Sequence, residues 1–147
     1  MTGERDLDQL QRRMAPQLQP QTFVYCTFPD FVLPGGLTPI CTFREAEGLT
    51  AIVERSQAER AEVPHVFEAR LITLTVYSSL EAIGFLATVT AALARAGIPC
   101  NVVAAYHHDH LFVPTVHAEG ALSLLMSLSS GDRTASSPSA DPDTHRV

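Results

Sequence analysis

An α+β fold, built on an antiparallel sheet with helices on one face, is what this sequence predicts, and three observations carry the prediction. Between Leu71 and Leu128, strand-like runs alternate with two helical stretches. Their order is strand, helix, strand, strand, helix, with a tight hairpin between the second and third strands, which is the split-βαβ arrangement of ferredoxin-like sheets. The chain has 147 residues, of which 46% are hydrophobic and 18% charged. That suits one compact domain or two very small ones and excludes wholesale disorder.

Each element has its own justification. Leu71–Tyr77 is apolar or β-branched on both faces and reads as a strand. Ser78–Ile83 forms a loop leading to Gly84. Phe85–Ala96 is helical, with Leu86, Val89 and Leu93 on one face and Gly97 as terminator. Ile98-Pro99 restarts an extended chain, Cys100–Tyr106 is the next strand, His107-His108-Asp109 makes the turn, and His110–Val113 returns antiparallel until Pro114. Ala118–Leu128 is the last helix, with Leu122, Leu125 and Leu128 inward. A right-handed crossover sets strand 71–77 parallel to strand 100–106.

The first half is plainer. Thr22–Phe28 is a strand closed by Pro29-Asp30, Pro34-Gly35-Gly36 is a loop, and Leu49–Val53 is a second strand. Ser56–Ala61 predicts a short helix capped by Ser56 and ended by Pro64. Ahead of these, Leu7, Leu10 and Met14 fall at i, i+3 and i+7, a short helix with Asp6 as N-cap and Pro16 as stop. From Ser130 onward the chain is rich in Gly, Ser, Asp and Pro, lacks aromatics, and is expected to be disordered. The division is therefore a polar head (1–21), a first unit (22–66), a second unit (67–129) and a tail (130–147).

Composition excludes several function classes. The net charge of −6 argues against a nucleic-acid groove or an anionic membrane surface, both of which need a basic field. All ten basic residues are Arg, which removes lysine Schiff-base chemistry and a P-loop lysine. Cys26, Cys41 and Cys100 form no CxxC pair and read as reduced, buried thiols. No signal-type h-region opens the chain and no apolar run approaches the ~18 residues of a membrane span. A soluble, cytoplasmic protein is expected.

The stretch Ile83-Gly84-Phe85-Leu86-Ala87-Thr88-Val89-Thr90-Ala91-Ala92-Leu93-Ala94-Arg95-Ala96-Gly97-Ile98 resembles the loop-Gly-helix signature of ACT domains. Three further stretches, Phe43–Thr50, Thr73–Gly84 and Asn101–His110, are similar to a small bacterial group of stand-alone, tandem ACT-like proteins. The resemblance spans about residues 7 to 128. It implies an ACT-like βαββα unit, complete but for its last strand, preceded by a reduced one, an amino-acid-binding regulatory role, and no catalysis. In that family the ligand sits between the first loop and a neighbouring unit, so a homo-oligomer or a partner enzyme, met through a sheet edge, is implied. An ACT unit closes with a fourth strand, whereas Leu128 here is followed by Ser129-Ser130-Gly131. A strand from the first half or from another chain must fill that edge.

The candidate ligand residues are Ser79, Glu81, Ile83, Gly84, Asn101, Glu47 and Thr50. The loop feeds a helix N-terminus whose free N–H groups and dipole attract a carboxylate, and Gly84 lets the backbone approach a ligand. Gly84 serves a tight turn equally well, and Ser79 and Glu81 suit helix capping. Asn101, the sole Asn, offers both a donor and an acceptor at a strand start, or satisfies loose backbone there. Glu45, Glu47 and Thr50 surround Gly48 and suit an ammonium group, or form a solvated acidic loop.

The alternative of a metal-dependent or acid–base enzyme rests on His107, His108, Asp109 and His110. Adjacent side chains on a hairpin diverge, so one metal engages at most two of them. A ligand-free interaction module pairing through a sheet edge is the third reading. No cofactor and no resident metal are expected. Treatment of the purified protein with EDTA should accordingly leave its melting temperature unchanged, and stoichiometric zinc found by elemental analysis would contradict this.

Overall fold

A computed structural model describes residues 3–131 of the chain. The expected tail lies outside the described residues except for Ser130 and Gly131, which end and cap the last helix. Asp6 accepts the Gln9 N–H at 2.9 Å and caps α1 (Leu7–Arg13). The chain then turns into β1 (Pro16–Phe28), which starts six residues before the expected Thr22. Pro16 does end the helical segment, but it also opens the strand, where a missing N–H costs no ladder bond. Pro20 sits where the ladder to the neighbouring strand shifts register between Leu18 and Thr22. There Arg70 donates Nε–H and Nη2–H to the Gln19 carbonyl at 3.0 and 2.7 Å, satisfying a group the bulge leaves free.

The remaining elements are β2 (Cys41–Arg44), β3 (Leu49–Glu54), α2 (Arg55–Arg60), β4 (Val66–Leu74), α3 (Phe85–Arg95), β5 (Asn101–Ala104), β6 (Asp109–Pro114) and α4 (Ala118–Ser130). Helix α2 has Glu54 rather than Ser56 at its N-cap position, without a side-chain capping bond, and carries an Arg55–Glu59 ion pair at 3.2 Å. Strand β2 was not anticipated. The strand expected over 71–77 occupies 66–74, and the one expected over 100–106 keeps only 101–104.

All six strands join one sheet in the order β2-β3-β1-β4-β6-β5, with every neighbouring pair antiparallel. Strands β4 and β5 both run opposite to β6, which lies between them. They therefore point the same way, as a right-handed crossover through α3 requires.

Register sorts the side chains into two faces. Ile72, Leu74, Leu111 and Val113 pack with Leu10, Met14, Phe85, Val89, Leu93 and Leu125 from α1, α3 and α4. Val24, Cys26, Ala51 and Val53 share that face and meet Ala58 of α2. The opposite face carries Phe23, Ile52, Ala69, Leu71 and Phe112 with no helical residue among them. Its aromatic rings cover one another, Tyr25 meeting Phe112 edge-on at 5.8 Å and Phe67 at 5.6 Å between centroids.

The edge left open in the second half is filled from within the chain. β4, α3, β5, β6 and α4 make a unit short of its fourth strand, and β1 takes that place through Pro16–Leu18 paired with Leu74–Ile72. The open edges of the sheet are thus β2 and β5, each four residues long. Helix α1 delivers β1 to this position and buries Leu10 completely. Leu10→Ala should cost about 2–5 kcal/mol in denaturant unfolding. Val116→Ala, at a side chain 87% exposed, should shift stability by less than ~0.5 kcal/mol.

Candidate functional site

Beyond Leu74 the chain leaves the sheet, runs through Val76 and Tyr77, and reaches Gly84 before α3 begins. Gly84 has φ +87°, a left-handed conformation that an L side chain strains to adopt. A Cβ there would meet only Leu7 Cδ2 at 3.8 Å, so backbone conformation and not lack of space demands the glycine. No side chain caps α3, and the N–H groups of Phe85, Leu86 and Ala87 have no partner within the helix. The Thr88 N–H and hydroxyl both go to the Gly84 carbonyl, each at 2.9 Å.

Facing this helix start is Asp109, the first residue of β6, which register sets opposite Leu74. It is only 5% exposed and accepts the Ser78 hydroxyl at 2.8 Å. Loop, helix start and Asp109 enclose a cleft of about 130 Å³, closed on the β5 side by Ala104. That volume is small beside the roughly 300–1,000 Å³ of drug-sized sites.

The β5–β6 turn spans Ala105–His108, with an Ala105 N–H to His108 carbonyl bond of 3.0 Å. Its histidines diverge. His108 Nδ1 lies 3.2 Å from the Val76 carbonyl, and His110 Nδ1 lies 3.1 Å from Thr73 Oγ1 on the other face. The His107 ring packs at 4.8 Å on Tyr106 and 5.9 Å from Tyr77. Among the described residues no three His, Cys, Asp or Glu side chains converge on a common point. Burial lowers the His110 pKa from its ordinary 6.5, His108 adds to the effect, and Asp109 opposes it.

Two family models, each described as an ACT domain, match residues 2–70 and 66–127. The chain belongs to the ACT domain family. The two matches overlap inside β4, the strand that closes the first ACT unit (β1, β2, β3, α2, β4) and opens the second. A Vibrio cholerae protein of unknown function, described as a possible transport protein, is 40% identical with TM-score 0.74, covering 84% of this chain and 95% of that one. An Agrobacterium tumefaciens protein is 16% identical with TM-score 0.61, covering 74% and 81%. The regulatory subunit of aspartate kinase from Thermus flavus is 13% identical with TM-score 0.57, covering 77% and 95%, a likeness of fold. No curated protein matches the chain in sequence.

Within the second ACT unit, Ser79 and Gly84 line the cleft. Glu81 instead turns to an ion pair with Arg5, and Ile83 is 88% exposed. Asn101 is exposed and opens β5 while Ala104 at the cleft closes it, about 10 Å apart by strand rise. Glu47 sits in the β2–β3 turn, and Thr50, the second residue of β3, bonds Glu45 across it. That turn adjoins the C-terminal end of β1 through Phe28–Leu49, whereas the cleft lies beside the N-terminal end through Pro16–Leu74. The acidic segment and the ligand loop therefore do not face each other within one chain, because β1 separates them by its full length.

The carboxylate facing α3 is Asp109, expected in the hairpin turn but found as the first residue of β6; the signal that finds it is register, since it pairs with Leu74, the last residue of β4. Of the thiols expected to be buried, Cys26 is, while Cys41 and Cys100 are half-buried. Burial pushes Cys100 up to about 11 and also raises Cys26, so both stay protonated and poorly nucleophilic at neutral pH. Among the described residues no helix is long and apolar enough to cross a membrane.

The His110 shift has a definite sign. Its folded pKa lies below 6.5, so the unfolded chain takes up the proton first as pH falls. The stability His110 contributes is present above about pH 6.5 and is lost as pH drops through the folded value. In His110→Asn, whose amide can still meet Thr73 Oγ1, the decline in melting temperature between pH 7 and pH 5 should be shallower than in the wild type.

Proposed function

We propose that the chain is a regulatory ACT protein that binds a small α-amino acid in the cleft between the Ser78–Gly84 loop, the start of α3 and Asp109. The observation that carries this reading is the pairing of opposite polarities around one small space. Uncapped amides and the positive end of the α3 dipole suit a carboxylate, and the buried carboxylate of Asp109 suits an ammonium group. Ser79 and Gly84 shape the wall. Ser78, bonded to Asp109, ties the loop to the β5–β6 hairpin, so an occupant touching both would stiffen their junction. The regulatory character follows from the family, whose domains are not catalytic.

Association belongs to the same proposal. Around the cleft stand Tyr77 at 63%, Leu80 at 66%, Ile83 at 88% and Tyr106 at 77% exposure, an apolar rim of the kind that marks an interaction surface. A second copy or a partner enzyme seated on that rim would cover the ligand, so occupancy would bias association. Glu47 and Thr50 would then approach a ligand only from a neighbouring chain.

Calorimetric titration with each of the twenty amino acids tests the reading. For the one that binds, Ala104→Gln should weaken affinity at least about tenfold by filling the cleft from the β5 edge, near 1.4 kcal/mol. Asn101→Ala should leave affinity within about twofold. Absence of binding at millimolar concentration, or the opposite ranking of the two variants, would remove the proposal.

A further inference from the structure

Gly3 to Asp6 run beside the loop that walls the cleft and pair with it through one isolated bridge. The Glu4 N–H donates to the Tyr77 carbonyl at 2.8 Å, and the Ser79 N–H donates to the Glu4 carbonyl at 2.9 Å, making a parallel bridge between Glu4 and Ser78. Arg5 forms an ion pair with Glu81 one turn further along the loop. The Glu4 carboxylate folds the segment onto itself by accepting the Arg5 and Asp6 N–H groups at 2.8 and 2.9 Å, which holds its carboxyl below the usual range. Gly3 lies flat on the loop backbone, where a Cβ would come within 2.7 Å of Ser79 N and 2.8 Å of Ser78 C.

Two features give this arrangement its character. None of the four residues has an apolar side chain, so the segment is held by polar contacts alone, unlike α1 behind it, which buries Leu10 and Met14. Such contacts open at low cost compared with a packed strand. None of the four lines the cleft, so the segment engages the loop without taking the α3 amides.

We propose that Gly3–Arg5, ahead of the Asp6 cap of α1, is a releasable strap that sets the conformation of the Tyr77–Gly84 loop, ordered when the strap is docked and loosened when it leaves. The strap is a property of the free chain; its bearing on affinity rests on the cleft being the ligand site. A docked strap would order the loop in advance and remove part of the ordering cost of binding.

Amide hydrogen exchange on the full chain, without any ligand, tests it. In the wild type the Glu4, Ser79 and Ala82 amides should be protected. Gly3→Val, which forces the segment off the loop, and Arg5→Glu, which opposes two carboxylates, should each speed exchange at Ser79, Glu81 and Ala82 by about tenfold. Amides of β4 and β6 should keep wild-type rates, and Arg5→Lys should stay close to the wild type. Wild-type exchange at Ser79 and Ala82 in both variants would overturn the proposal. So would acceleration confined to Ser79, showing a strap that pairs without setting the loop, or acceleration spreading through β4, showing a part of the global fold. If no amino acid binds the wild-type chain, the sensor reading fails while the exchange result still decides the strap.

Discussion

Strands β1 and β4 run side by side through the middle of the sheet, and each is needed by both halves of the chain. β4 is the last strand of the first ACT unit and the first of the second. β1 opens the first unit along its C-terminal half and closes the second with its N-terminal end. Neither unit has four strands without the shared pair, and a half-sheet with that edge bare would expose a row of unpaired backbone groups. The joint is also where the backbone is least regular. Pro20 cannot donate, the ladder slips beside it, and Arg70 supplies two N–H groups to the Gln19 carbonyl. One guanidinium thus lets a proline-containing strand serve two units at once.

The cleft beside α3 inherits its position from that pairing. Because β1 and β4 are antiparallel, the loop after β4 lies beside the start of β1, where α1 and the segment before it arrive. The loop therefore has two sides with different partners. Its backbone turns outward to Glu4, while its Ser78 hydroxyl reaches the buried Asp109 on the other side. The N-terminal segment and the cleft therefore meet on the same few residues, Ser79 bonding Glu4 and Ser78 bonding Asp109.

Much of the second unit was legible because its residues report on themselves. Leu86, Val89 and Leu93 repeat at helical spacing, and Gly84 and Gly97 bracket α3, so helix and limits follow locally. β2 escaped because Cys41–Arg44 is four residues long and mostly exposed, with no buried alternation to reveal it. The start of β1 escaped because Pro16 and Pro20 argue against a strand until it is known that one begins it and the other sits at a bulge. The site was harder still. Ser79 and Gly84 are recognisable from the loop-Gly-helix pattern, but whether Asn101, Glu47 or Asp109 stands near them depends on strand direction and register. Those are properties of pairing between distant segments, and Asp109 looks locally like any turn aspartate.

The sharing of β1 has a consequence for how the protein is made. Leu18 is synthesised more than fifty residues ahead of its partner Ile72. At roughly 5–20 residues per second, that wait lasts seconds. Meanwhile β1 can pair with β3, but its N-terminal end stays bare, carrying Gln17, Gln19 and Gln21 together with two prolines, a composition poorly suited to sticking to another nascent chain. The prolines that obscure the strand in the sequence also make that end a poor template for pairing with another chain, and the second unit can close only once β4 has been delivered.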